Sequence, residues 1–197
     1  MKTKIRFFAC FLVAVFAFSL VSCGESAPAD VFDHFISSVR SCDAQSASAS
    51  VLTDSSIERF SDAVASSDDF GRETLKAVYS IIRFTVVSGN VERDEAGSEI
   101  VIIDKDRQTI RIEMSAPDFA SLMSLAMSEV LYSSKPKTEV MRDFLDDGTV
   151  GRYVKKMTVD VTLVKENGKW KLPFSLKENK QLYDALALDS FAPWLLG

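Results

Sequence analysis

The stretch MTVDVTLVKENGKWKLPF, residues 157–174, constrains the fold more than any other part of the chain. Met157, Val159, Val161 and Leu163 alternate with Thr158, Asp160 and Thr162, the period of a strand with one face in a core and one in water. If the apolar face is the interior, Asp160 points to solvent. Asn167-Gly168 then supplies the two residues that best accept positive φ at the centre of a two-residue turn. The return strand KWKLPF carries Trp170 and Leu172 on one face. A lone hairpin is marginal in water, so further strands or helices must cover that face.

The remaining sequence supplies both. IRFTVVSGNVERD, from Ile81, is rich in β-branched and aromatic residues and holds a Ser-Gly-Asn bulge or turn. SEIVIID and QTIRIEM follow, and Ile110, Ile112 and Met114 alternate with Thr109, Arg111 and Glu113. These segments predict an antiparallel meander. Helical spacing of three and four joins Val31, Phe32, Phe35, Ile36 and Val39 within residues 29–45, with Asp30 in the first turn. QSASAS reads as an interruption. Further helices are expected from Ser55 to Val64, from about Asp69 through Tyr79, from Asp118 along DFASLMSLAMSEVLY, in KPKTEVMRDFLDDG up to Gly148, and in ENKQLYDALAL. Runs of helices and antiparallel strands in this order define an α+β class.

At the other end of the chain, Lys2, Lys4 and Arg6 precede the apolar run Phe7–Leu20. A positive segment before a short apolar one is the order of a secretory signal. Fourteen residues at ~1.5 Å per residue fall short of the ~30 Å hydrocarbon core, so a transmembrane anchor is the weaker reading. The run closes on Leu20-Val21-Ser22-Cys23-Gly24, which resembles the bacterial lipobox. That resemblance implies cleavage between Ser22 and Cys23 and a diacylglyceryl group on the Cys23 thiol. Two acyl chains anchor stably where one holds only reversibly. Residues 1–22 are then a signal peptide, 23–28 a lipidated tether and 29–197 one domain, placed on the extracytoplasmic face of a bacterial envelope membrane.

Removing residues 1–22 leaves 20 basic against 28 acidic side chains, a net charge of −8. Such a domain is repelled by an anionic bilayer, so the lipid must do the holding. The same balance argues against nucleic acid as a partner. Of three cysteines, Cys10 leaves with the signal and Cys23 takes lipid; Cys42 alone remains and has no disulfide partner in the chain. It reads as a small, half-buried residue.

VDVTLVKENGKWKLPFSLKENKQLYDAL, preceded by helices and followed by the tail Leu195-Leu196-Gly197, resembles bacterial lipoproteins of the nuclear transport factor 2-like (cystatin-like) superfamily. The resemblance implies a curved antiparallel sheet wrapped around N-terminal helices as a cone, with Pro117–Gly148 as a helical insertion. That superfamily hosts enzymes and non-enzymes, so the fold alone licenses no reaction.

Catalytic signatures are sparse. His34 has Asp30 at i−4, the spacing at which a carboxylate orients an imidazole base, but the pair sits beside the tether and reads as a surface histidine. Asp104-Lys105-Asp106 and Asp146-Asp147-Gly148 lack the alternating ligands of a calcium loop and read as solvated turns. One histidine and one free thiol are too few for an ordinary zinc site, and no phosphate-binding glycine loop is present. No metal or cofactor is expected. Trp170, Tyr153, Tyr79 and Tyr132 are candidates for lining a cavity mouth or for packing. SFAPWLLG either tucks into the domain or presents an apolar contact. The expected role is a non-enzymatic binding or scaffold module for an envelope protein or a small apolar ligand. The alternatives are a small pocket enzyme, isomerase- or dehydratase-like, and a structural partner domain that docks through the 190–197 tail.

Overall fold

The computed structural model describes residues 27–52, 55–89, 92–93, 99–100 and 104–197. Ser22, Cys23 and the whole leader lie outside the described residues, as do Asn90 of the Ser-Gly-Asn turn and much of SEIVIID. Among the described residues no helix is long and apolar enough to cross a membrane.

Helix α1 spans Pro28–Ser41. Pro28 sits in its first turn, where its fixed φ suits a helix and its missing N–H costs nothing. The Asp30 carboxylate reaches back to the Ala27 N–H at 3.2 Å. Phe32, Phe35, Ile36 and Val39 form the buried stripe. The helix stops four residues before the expected 45, because Cys42 turns left-handed (φ 55°) and the Asp43 N–H closes back on the Ser38 carbonyl at 2.9 Å.

Asp43 then starts a helix that the sequence reading missed: QSASAS is α2, Ala44–Ser50. The Asp43 side chain accepts the Ser46 N–H at 3.0 Å, while Ser48 and Ser50 hydroxyls donate to the carbonyls of Ala44 and Ser46. A cap and the buried Ala47 outweigh the low helix propensity of serine. Helices α3 (Ser55–Ser66) and α4 (Asp69–Tyr79) follow, the second capped by Asp68, which accepts the Gly71 N–H at 2.6 Å.

The main sheet is antiparallel, with β1 (Arg83–Gly89), β4 (Arg107–Pro117), β5 (Val154–Glu166) and β6 (Lys169–Lys171) in that spatial order. Strands β2 (Glu92–Arg93) and β3 (Glu99–Ile100) pair only with each other. The expected meander is therefore corrected: β1 pairs directly with β4, and SEIVIID contributes no described residue to the main sheet. A bulge interrupts β1 between Val86 and Ser88.

Register bears out the alternation. Met114 faces Met157, Ile112 faces Val159 and Ile110 faces Val161, all turned to the core. On the outer face Arg111 stands opposite Asp160, held by two hydrogen bonds of 2.7 and 3.1 Å, and Thr109 meets Thr162 at 3.0 Å. Asp160 thus points outward, as the pattern required. The β5–β6 turn has positive φ at both Asn167 (51°) and Gly168 (79°), as its sequence demands.

Helices α1 and α4 pack on β4. Helix α5 (Phe119–Ser133) and α6 (Lys137–Asp146) follow the first long strand, with Gly148 (φ 75°) ending α6 before the single turn α7 (Thr149–Arg152). After the hairpin come α8 (Lys180–Leu186) and α9 (Phe191–Leu196). The tail turns inward: Phe191, Ala192 and Leu195 are buried, and Phe191 stacks on Phe119 with ring centroids 4.6 Å apart. The two ends of the domain are joined where Leu172 donates to Ser50 and accepts from Leu52, each at 3.0 Å.

Candidate functional site

A groove of about 770 Å³ opens between the first half of β5, the N-terminal turns of α5 and the segment from α8 to Ser190. That volume falls within the ~300–1,000 Å³ of ligand-sized clefts. Its wall is apolar, drawn from Phe119 and Met123 of α5, Met157 and Val159 of β5, and Ala185 and Ala187. Each arrives through a local cause. Met157 and Val159 belong to the core-facing row of β5, where Val159 is buried and Met157 half-buried. Phe119 and Met123 are one helical turn apart on a helix whose start is fixed by Asp118.

The polar groups lie around this wall, and most are paired. Asp118 accepts the Ser121 N–H at 3.3 Å and the Ser121 hydroxyl at 2.7 Å, and pairs with Lys155 at 2.9 Å. Burial of its carboxyl acts to raise the pKa, but hydrogen bonds from Lys155 and Ser121 outweigh it and hold Asp118 below the usual carboxylate range. It is ionised at neutral pH, a cap and an anchor for Lys155 rather than a proton donor. Asp184 is bridged by Lys180 at 2.6 Å, one helical turn away. The Tyr183 hydroxyl donates to Asp189 at 2.6 Å. A shallower hollow of about 490 Å³ lies next to it, between Arg83, Glu113 and Lys156, with Met157 and Thr158 common to both.

The four aromatic candidates are scattered. Tyr79 is wholly buried, ringed by Phe60, Phe119 and Phe191 at centroid distances of 5.4–6.1 Å, and its hydroxyl donates to the Leu186 carbonyl at 3.3 Å. Burial drives that phenol well above its ordinary pKa. Trp170 is 8% exposed, beneath the Lys165 ammonium at 5.4 Å. Tyr132 is 88% exposed near the end of α5. Tyr153 is half-exposed and adjoins the groove through its carbonyl, which accepts the Asp118 N–H at 2.7 Å. Among the described ring contacts none joins two of these four.

His34 is exposed, with its Nδ1 3.0 Å from the Ser50 hydroxyl, a tie between α1 and α2. Asp30 does not orient it; that carboxylate is engaged by Ala27. Cys42 is 7% exposed, and burial pushes its thiol up to about 12. Asp104 and Asp147 accept the backbone N–H groups of Asp106 and Thr149, so each carboxylate serves its own turn. Among the described residues no cluster of three or more His, Cys, Asp or Glu forms.

Sequence reasoning did not find the groove. Tyr183 and Asp189 are brought together because Ala187 turns left-handed (φ 47°) after α8. A non-glycine residue at that conformation leaves no mark in the sequence. Compared with known proteins, the chain matches no family model, no curated protein and no solved structure.

Proposed function

We propose that this chain is a bacterial envelope lipoprotein, anchored through a diacylglyceryl group on Cys23, whose α+β domain is a non-enzymatic binding module that uses the groove beside β5. The observation that carries the reading is the groove itself: an apolar wall of ligand size, edged by the ion pairs Asp118–Lys155 and Lys180–Asp184. An apolar wall supplies affinity, and the few polar groups around it supply orientation.

The anchor reading is supported by the order of basic, apolar and Leu-Val-Ser-Cys-Gly segments. Helix α1 begins at Pro28. The five residue steps from Cys23 span at most roughly 17 Å when extended, so the domain is held close to the bilayer. The cone shape of the nuclear transport factor 2-like superfamily belongs to the same proposal. It is supported by the β1 bulge, which bends a strand, and by the helices on the core face of β4.

Two experiments test the proposal. Labelled fatty acid should enter the wild-type protein and fail to enter Cys23→Ser, which should leave the membrane fraction; persistent label refutes the anchor. An environment-sensitive naphthalene dye should bind the full chain saturably. Binding should vanish in Met123→Arg, which places a cation in the wall, and survive in Tyr132→Lys. A dye that still binds Met123→Arg places the binding site elsewhere.

A further inference from the structure

On the side of β5 away from β4, the backbone groups of alternate residues look for a partner. The Lys165 N–H points to the β4 side, to Asp106 at 2.7 Å, so the even-numbered residues point the other way. Glu166 and Val164 are met by Lys169 and Lys171 of β6. Pro173, which has no N–H, lies just beyond β6. At the next position the chain supplies a substitute: the Asn179 side-chain amide takes the Thr162 N–H at 2.7 Å and donates to the Thr162 carbonyl at 2.8 Å. Beyond it, the N–H and carbonyl groups of Asp160, Thr158 and Lys156 have no hydrogen-bond partner among the described residues. Thr158 borders the groove, flanked by Met157 and Val159 of its wall.

We infer that the groove takes an extended peptide, which adds to the β5 edge as a strand next to Thr158. This rests on the proposal that the groove is the binding site, and names its occupant. The donor–acceptor pairs recur every second residue, ~6.8 Å apart, a spacing that an extended polypeptide backbone complements. The strand would continue the line begun by β6 and the Asn179 amide. Its alternate side chains meet the half-buried Met157 and Met123, so apolar residues belong at every second position. Asp189, bonded to Tyr183, has no basic partner among the described residues, so a lysine or arginine in the peptide completes the charge. Lys155, Lys156 and the Arg111–Asp160 pair flank the edge with charge, which discourages indiscriminate edge pairing by other chains.

A library of linear peptides displayed on phage, panned on the detergent-solubilised full chain, supplies the probe. The selected peptide is synthesised with and without N-methylation at alternate amides and titrated against the wild type, Met123→Arg and Thr158→Pro. Proline at 158 removes an N–H that faces the groove, and leaves the β4–β5 ladder intact. Strand addition predicts at least tenfold weaker binding of the N-methylated peptide in one register only. It predicts a similar loss in both variants and slowed hydrogen exchange at Thr158 and Asp160 on binding. Binding that survives Thr158→Pro and N-methylation, yet is lost in Met123→Arg, overturns strand addition and leaves the groove as the site. Binding that survives all three overturns both. Failure to select any peptide overturns strand addition, with the dye titration still deciding the groove. If circular dichroism shows Thr158→Pro unfolded, the N-methyl and exchange measurements decide.

Discussion

Asn179 lies 17 residues from Thr162 in sequence, yet its side-chain amide holds both backbone groups of Thr162, at 2.7 and 2.8 Å, and donates at 2.8 Å to Pro173. A side chain thus stands in for a strand residue where β6 has ended. Asn179→Ala strands these half-buried groups and should cost about 2 kcal/mol in urea denaturation. Asn179→Asp should cost a similar amount, since a carboxylate cannot donate to the two carbonyls.

Asp118 caps α5 and holds Lys155, so it couples helix, strand and groove. Asp118→Ala should cost about 1 kcal/mol from the cap. Its folded pKa lies below the usual value, so the unfolded chain takes up the proton first as pH falls. The contribution is therefore whole above the ordinary carboxylate pKa and is lost as pH drops through the lower folded value. Denaturation curves of Asp118→Asn and wild type should converge in acid and separate at neutral pH.

Cys42 gives the opposite sign. Its pKa rises from 9.0 to about 12 on folding, chiefly by desolvation. The unfolded thiol ionises first as pH rises, so stability is full below 9.0 and declines towards about 12. Cys42→Ala should remove the part of the alkaline decline that begins near 9.0 and leave the part that buried Tyr79 contributes. In the native protein the thiol should react with iodoacetamide only as fast as the fold opens.

Tyr79 and Tyr132 separate packing from recognition. Tyr79→Ala empties the centre of the aromatic cluster and should cost about 3–5 kcal/mol by thermal melting. Tyr79→Phe loses only the bond to Leu186 and should cost about 1 kcal/mol. Tyr132→Ala should change stability by less than about 0.5 kcal/mol.

Much of this architecture is legible in the sequence because it depends on neighbours along the chain. Asn167-Gly168 forces its turn, and the alternation of β4 and β5 assigns their faces correctly, Asp160 included. What escaped depends on distant partners. QSASAS looks like a break until Asp43 caps it and Ala47 finds the core. Asn179 stands at the start of α8, but its amide is spent on a strand. The groove escaped for the same reason: its walls come from Phe119, Met157 and Ala185, which share no local pattern. Tyr79 drew attention as an amphipathic ring, whereas its polar tip is spent on a buried carbonyl.

The bridge between Val51 and Leu172 has a consequence for the order of assembly. Residues 28–79 make most of their own helices, but Ser50 and Leu52 bond to Leu172, Tyr79 bonds to Leu186, and Phe191 closes over Tyr79. The helices of residues 28–79 are therefore not sealed until Leu172, Leu186 and Phe191 have been synthesised. Loop closure over more than a hundred residues, 107 in the case of Tyr79 and Leu186, makes that step late and slow. A chain that delays its own closure stays open to chaperones and proteases for longer after leaving the ribosome.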